Sequence, residues 1–151
     1  MSPFINRFQD VAGSEMLILY VQQPGLPLPL GEYAFFEWFC DEPPCDCRRV
    51  LLQVVSPQQP GRILATINYG WESAAFYTRW MHGDAEAGRE ITSASLDPIN
   101  PQSKLADALL DAFRDYLRTD TPYPQQLKRH YELFKAPQRK PTRKRKRTPP
   151  A

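Results

Sequence analysis

All three cysteines of this chain lie within eight positions, and this cluster restricts the possible fold more than any other feature. Cys40, Cys45 and Cys47 form a C-x4-C-x-C pattern. It is preceded by GEYAFFEWF and followed by RRVLLQVVS, two runs of aromatic and aliphatic residues separated by a short, polar, proline-bearing segment. Such runs are typical of an antiparallel hairpin. The sequence therefore predicts a hairpin with every cysteine at its tip.

A metal ion is the role that this cluster favours. The N-terminus has no secretory pattern, and no run of about 18 apolar residues occurs, so we expect a cytoplasmic protein without a membrane span. Thiols stay reduced in that compartment and more often bind metal than form disulfides. Pro43 and Pro44 stiffen the connector, and Arg48 and Arg49 can balance thiolate charge. We predict a structural zinc with the ligands Cys40, Cys45 and Cys47.

A tetrahedral zinc site needs a fourth ligand, and the chain contains only two histidines. His130 lies on the apolar face of the last predicted helix, which would dock on the sheet and bring the imidazole to the hairpin tip. We therefore predict His130 as the fourth ligand. His82, Asp41 and Asp46 are the alternatives. A histidine on an apolar face can equally be an ordinary core residue, and His82 can be an exposed residue at a helix end.

Other roles for the cysteines fit the sequence less well than a metal site. The segment DEPPCDCRR is too polar for Cys45 and Cys47 to be ordinary core residues, and a disulfide between these two would be strained. A thiol-based redox sensor and a small zinc enzyme with an open coordination position stay as alternatives. No glycine-rich phosphate loop, HExxH motif or nucleophile elbow occurs, so the sequence favours a non-enzymatic protein.

Predicted strands precede predicted helices along the chain. Strands are expected at 16–22, on both sides of the cysteines and at 62–70, with helices at 71–81, at 100–120 from an Asn-Pro start, and at 121–136. The intervening stretch 84–98 is predicted to be a loop with at most one helical turn. This order predicts an α+β fold: an antiparallel sheet of about four strands followed by three helices packed on one face. The predicted units are an N-terminal extension (1–14), a single domain (15–135) and a tail (136–151).

The tail is strongly basic, whereas the rest of the chain is acidic. The net charge of the chain is +2, but residues 1–135 hold 12 Lys and Arg against 17 Asp and Glu, a net charge of −5. The tail has no apolar side chains to bury, so we expect disorder. It has no aromatic residues for base stacking either. The predicted contacts to phosphates are Arg139, Lys140, Arg143, Lys144, Arg145, Lys146 and Arg147. A solubilising tail and a targeting signal are the alternatives.

Three segments, YAFFEWFCDEPPCDCRRVLLQVVS, ILATINYGWES and LKRHYELFK, resemble an uncharacterised group of bacterial SEC-C-like metal-binding proteins. The resemblance implies metal binding and no particular activity. The SEC-C pattern continues after C-x-C with a Cys-Cys or His-Cys pair, whereas RRVLLQVV follows CDC here.

These observations predict a small, non-enzymatic, zinc-stabilised binding or adaptor protein whose tail contacts nucleic acid or the ribosome. A protein partner is a further candidate. A small zinc metalloenzyme and a redox sensor are the alternative functions.

Overall fold

An antiparallel sheet of six strands forms the centre of the structure, a computed structural model that describes residues 1–137. Strand β4 lies between β3 and β5, β6 pairs with β5, and both β1 and β2 pair with β3. The strands are β1 (Ser2–Pro3), β2 (Leu17–Val21), β3 (Gly31–Phe39), β4 (Arg49–Val55), β5 (Ala65–Gly70) and β6 (Ser95–Leu96).

Five α-helices accompany the sheet in the described part of the chain, so the predicted α+β class is confirmed, with more strands and helices than expected. The helices are α1 (Gln9–Glu15), α2 (Ala74–Trp80), α3 (Ala85–Ser93), α4 (Ala106–Arg118) and α5 (Tyr123–Lys135), and a short 3-10 helix covers Phe4–Asn6. Within residues 1–137, no helix has the length and apolar character needed to cross a membrane.

The hairpin of β3 and β4 follows the predicted alternation. Phe35 and Phe39 on β3, and Val50 and Leu52 on β4, are buried and separated by partly exposed residues. Neighbouring side chains on a strand point to opposite faces, so this alternation produces one apolar face. The last pair of the ladder toward the tip is Trp38 with Leu51, and the connector that carries the cysteines follows.

Helices α4 and α5 cover the apolar face. Phe113 of α4 stacks on Phe35 with ring centroids 5.6 Å apart, and Leu109 and Leu127 have no solvent exposure. Helix α5 begins and ends close to the predicted positions. The residues predicted to form its apolar face are all buried: Leu127, His130, Tyr131 and Phe134.

The stretch predicted to be a loop at 84–98 contains a helix and a strand, so that prediction is wrong. Asp84 caps α3 by accepting hydrogen bonds from the backbone N–H groups of Glu86 and Ala87. Gly88 lowers the helix propensity of the stretch, but it permits close packing of α3 on α2. A Cβ there would lie 2.4 Å from Oγ1 of Thr78. The contact with α2 therefore stabilises a helix that its own sequence indicates only weakly.

The helix predicted to have Asn100 as its N-cap and Pro101 as its first residue begins five residues later, at Ala106. The preceding residues bind strand β5 instead. Gln102 accepts a hydrogen bond from the N–H of Thr66 (2.9 Å) and donates one to its carbonyl (2.8 Å). The side chain thus pairs with the backbone of β5 as a neighbouring strand would, and this holds the segment in a non-helical conformation.

Residues 1–14, predicted to be an extension, pack into the same core as the rest of the chain. Ser2 pairs with Phe39 in the sheet. Phe4 is only 1% exposed and stacks on Phe8 at 5.0 Å. Burying one large aromatic side chain stabilises a fold by about 2 kcal/mol or more, so these residues belong to the folded unit. The predicted basic tail lies, from residue 138 onward, outside the described residues.

Candidate metal centre

The connector between β3 and β4 brings the three cysteines together, as the sequence predicts. Cys40 directly follows β3, and Cys47 lies two residues before β4 begins. The Sγ atoms of Cys40, Cys45 and Cys47 all lie within 4.8 Å of one another. Cys47 is 2% exposed, and the other two are half-buried. Within residues 1–137, no other group of histidine, cysteine or acidic side chains has this geometry.

An internal turn and a contact with α2 determine the backbone conformation of the connector. The N–H of Cys45 donates a hydrogen bond to the carbonyl of Glu42 (3.1 Å), which closes a turn over the two prolines. Arg48 has a φ of +46°, a conformation that non-glycine residues seldom adopt. The hydroxyl of Tyr77, a buried residue of α2, donates to the Arg48 carbonyl and holds this backbone in place.

Helix α5 fixes the other side of the connector through main-chain carbonyls. Lys135 Nζ donates to the carbonyl oxygens of Cys40 (3.4 Å) and Glu42. The hydroxyl of Tyr131 donates to the carbonyl of Cys45 (3.4 Å). These contacts engage the backbone and leave the sulfur atoms available to a metal ion.

The environment of Cys45 opposes the ionisation of its thiol. Burial raises the pKa of Cys45 to about 11, together with the hydrogen bond to Cys40 and the charges of Cys47 and Cys40. Three thiolates at this separation repel one another, and a bound cation removes that repulsion. The donor set therefore fits a metal ion.

The separation of the sulfur atoms is also compatible with a metal. Zinc–thiolate bonds are about 2.3 Å long, so two thiolates of a tetrahedral site lie roughly 3.8 Å apart. The three sulfur atoms already lie within 4.8 Å of one another, so small side-chain movements are enough to bind an ion. Soft thiolate ligands favour zinc and copper(I) over hard cations. The cysteines could thus hold a metal ion of this soft class.

His130 does not join the cysteines, so the prediction that it is the fourth ligand is corrected. Its Nδ1 lies 2.6 Å from Oε2 of Glu37, and its Nε2 lies 2.6 Å from Oε2 of Glu15. The ring also stacks on Phe4, with centroids 4.5 Å apart. Both ring nitrogens are occupied by carboxylates, so no lone pair is free for a metal.

The alternative fourth ligands also lie apart from the cysteine group. His82 is exposed after α2 with a φ of +56°. Asp41 accepts hydrogen bonds from Ser2 and from the Met1 amino group, and Asp46 pairs with Arg48. None of these side chains has a ligand atom within the group formed by the three sulfurs. Residues 138–151 contain no cysteine, histidine, aspartate or glutamate.

A second buried polar cluster surrounds His130, and its acidic members were not predicted. His130 is 1% exposed, Glu37 is 8% exposed, and the hydroxyl of Tyr123 lies 3.5 Å from Oε1 of Glu37. Arg129 forms an ion pair with Glu15 (2.8 Å) at the solvent side. Glu37 is the one charged residue among the buried positions of β3. A charged side chain at such a position indicates a buried partner of opposite charge.

The carboxylates favour the charged form of the imidazole. Burial lowers the pKa of His130, but the hydrogen bonds and charges of Glu37 and Glu15 raise it by more, so the net shift is upward from 6.5. The hydrogen bonds from Arg129 and His130 lower the pKa of Glu15. Two carboxylates, one imidazolium and one guanidinium give the cluster no net charge.

We expect the stability of the fold to decrease as pH rises above about 6.5, through the raised pKa of His130 in the folded state. A raised folded-state pKa contributes stability that is complete below the unfolded pKa and is lost above the folded one. Urea unfolding between pH 6 and 9 measures this effect. The difference between wild type and Glu37→Gln should shrink over this range, and a difference that is independent of pH would contradict the assignment.

Comparison of the chain with protein-family models, with curated proteins and with solved structures finds no match. The resemblance to the SEC-C-like group therefore stays a prediction, and the geometry of the cysteines carries the functional argument.

Proposed function

We propose that this chain is a small, non-enzymatic binding or adaptor protein of the cytoplasm whose cysteine connector is closed by one structural zinc ion. The observation that supports the proposal is the convergence of Cys40, Cys45 and Cys47, with sulfur atoms within 4.8 Å of one another. The SEC-C-like resemblance agrees with a metal-binding role.

A structural role suits the place of the cysteines in the fold. The connector lies beyond the last ladder pair of the hairpin and is joined to α5 by a few hydrogen bonds from long side chains. A metal bound by three of its residues would fix its conformation and the surface that it forms with α5. Metal binding then contributes to the free energy of folding, because the unfolded chain has no preformed site.

The two alternative functions fit the site less well. A zinc enzyme needs a general acid or base beside the metal. Of the carboxylates near the cysteines, Asp46 and Glu72 pair with Arg48, and Asp41 pairs with the Met1 amino group. A redox sensor needs a thiol of low pKa, whereas the pKa of Cys45 is raised.

The metal proposal predicts that zinc protects the thiols from alkylation. We expect all three cysteines of the zinc-loaded protein to react at least about tenfold more slowly with iodoacetamide than after chelation, because a coordinated thiolate is a weaker nucleophile than a free one. Mass spectrometry of the alkylated protein counts the modified cysteines. Equal rates with and without zinc at all three positions would contradict the proposal.

The second part of the proposal concerns the tail and rests on its sequence. Seven basic residues follow a body with a net charge of −5. Such a segment neutralises phosphates without reading base sequence. We therefore propose nucleic acid or the ribosome as the partner of the tail.

Deleting residues 138–151 should abolish binding to RNA and DNA and leave the melting temperature nearly unchanged. For the full chain, the logarithm of duplex affinity should fall with the logarithm of salt concentration with a slope of up to roughly −6, if all seven charges engage. Fluorescence anisotropy over a salt series measures the nucleic-acid affinity of the full and the truncated chain. Binding of equal strength by the truncated chain would contradict this assignment.

A further inference from the structure

A groove beside the cysteines has the features of a binding site for a small anion. It runs between the connector, the end of α5 and the residues after the N-terminal 3-10 helix. Its lining includes Arg7, Cys40, Pro43, Phe134 and Lys135. Cys40 is the cysteine among its lining residues, so the groove adjoins the candidate metal centre.

The groove carries two positive charges that form no salt bridge with the described residues. Arg7 lies with its guanidinium 4.0 Å above the ring of Phe134 and donates to the Phe134 carbonyl (3.3 Å). Lys135 donates only to main-chain carbonyls of the connector. Among residues 1–137, no carboxylate oxygen lies within 4.0 Å of either cation.

The acidic residue of the groove does not balance these cations, because it is already engaged. Asp41 pairs with the Met1 amino group (3.0 Å) and accepts a hydrogen bond from Ser2. The two cations of the groove are thus left for an external anion.

A metal ion at the cysteines would also need a ligand from the side of the groove. The three thiolates supply three ligands, and both histidines and the nearby carboxylates lie outside the group. A tetrahedral ion then takes its fourth ligand from solution. A divalent ion with three thiolates has a net charge of −1. A further anionic ligand therefore needs cations beside it, which Arg7 and Lys135 provide.

We propose that the fourth coordination position of the metal opens onto this groove and binds a small thiol that carries a carboxylate. The inference rests on the proposed metal site. The thiol loses its proton to the buffer as its sulfur replaces a metal-bound water, and no electron is transferred. The carboxylate of the ligand then lies against the two cations, where charge-assisted hydrogen bonds are roughly twice as strong as neutral ones.

Cobalt(II) loaded into the purified, reduced full-length protein provides the test, because its visible spectrum reports the ligands of the ion. Mercaptoacetate should change the cobalt spectrum at concentrations about tenfold lower than 2-mercaptoethanol, which lacks the carboxylate. A tenfold preference corresponds to about 1.4 kcal/mol, the size expected of a charge-assisted contact.

Two variants and a matched control decide the outcome. Lys135→Gln and Arg7→Gln should each reduce the preference for mercaptoacetate, and Lys128→Gln, on the same helix but outside the groove, should keep it. If Lys135→Gln disturbs the connector and loses cobalt, Arg7→Gln alone decides. A protein that shows no thiolate–cobalt absorption refutes the metal site. A protein that binds cobalt but treats both thiols alike refutes only the inference.

Discussion

Replacing Cys45 with serine should lower the melting temperature of the zinc-loaded protein by more than about 10 °C. Structural zinc sites contribute roughly 10 kcal/mol or more of binding free energy at neutral pH, and this energy is coupled to folding. Losing half of this binding free energy is enough for a shift of about 10 °C, because about 1 kcal/mol shifts the melting temperature of a domain of this size by about 2–4 °C. Differential scanning calorimetry with excess zinc measures the shift.

The effect of a chelator separates loss of the metal from loss of packing. Prolonged chelation should bring the wild type down to nearly the melting temperature of Cys45→Ser, and the variant itself should not respond to the chelator. Cys45 is half-buried, so the substitution creates little cavity. A wild type that melts at the same temperature with and without chelator would show that the cysteine cluster is dispensable for folding.

Replacing His130 with leucine should reduce the free energy of unfolding by about 3–5 kcal/mol. Removing one partner of a buried ion pair leaves the other charge buried without compensation. Here the remaining charge is Glu37, which is 8% exposed on the core face of β3 and bonded to His130 at 2.6 Å. Urea unfolding at pH 6, where the imidazole is charged, measures the loss.

The adjacent residue of the same helix is a matched control for this substitution. Arg129 binds the same carboxylate as His130, that of Glu15, but lies at the surface. Exposed ion pairs contribute about 0–1 kcal/mol, so Arg129→Gln should cost no more than that. Adding Glu37→Gln to His130→Leu should recover part of the lost stability. Similar losses for Arg129→Gln and His130→Leu would contradict the structural role of the buried cluster.

The hairpin and its cysteines were predictable because their signals are local. Alternating apolar residues define β3 and β4. The pairing of these two strands brings Cys40 and Cys47 together without contacts from the rest of the chain. The apolar stripe of α5 was predictable for the same reason, since residues three and four apart share a helix face.

The partners of His130 were not predictable from spacing, because they come from distant parts of the chain. Glu37 and Glu15 lie 93 and 115 residues away in sequence, on β3 and at the end of α1. The helix pattern showed that His130 is buried but not which groups it meets. The sequence predicts residues 1–14 to be an extension, so it does not predict the position of α1 beside α5.

The start of α4 and the existence of α3 were missed for a related reason. Asn-Pro is a common helix start, but the hydrogen bonds between Gln102 and Thr66 favour an extended segment. Gly88 has a low helix propensity, so the local sequence disfavours a helix. Its close approach to Thr78 nevertheless allows α3 to pack against α2. In both places tertiary contacts override the local preference of the sequence.

Native mass spectrometry of the reduced, full-length protein expressed with zinc available tests the metal centre most directly. We predict one zinc ion per chain in the wild type and none in a variant with Cys40, Cys45 and Cys47 all replaced by serine. A folded wild-type chain that carries no metal under these conditions would contradict a structural zinc site at the three cysteines.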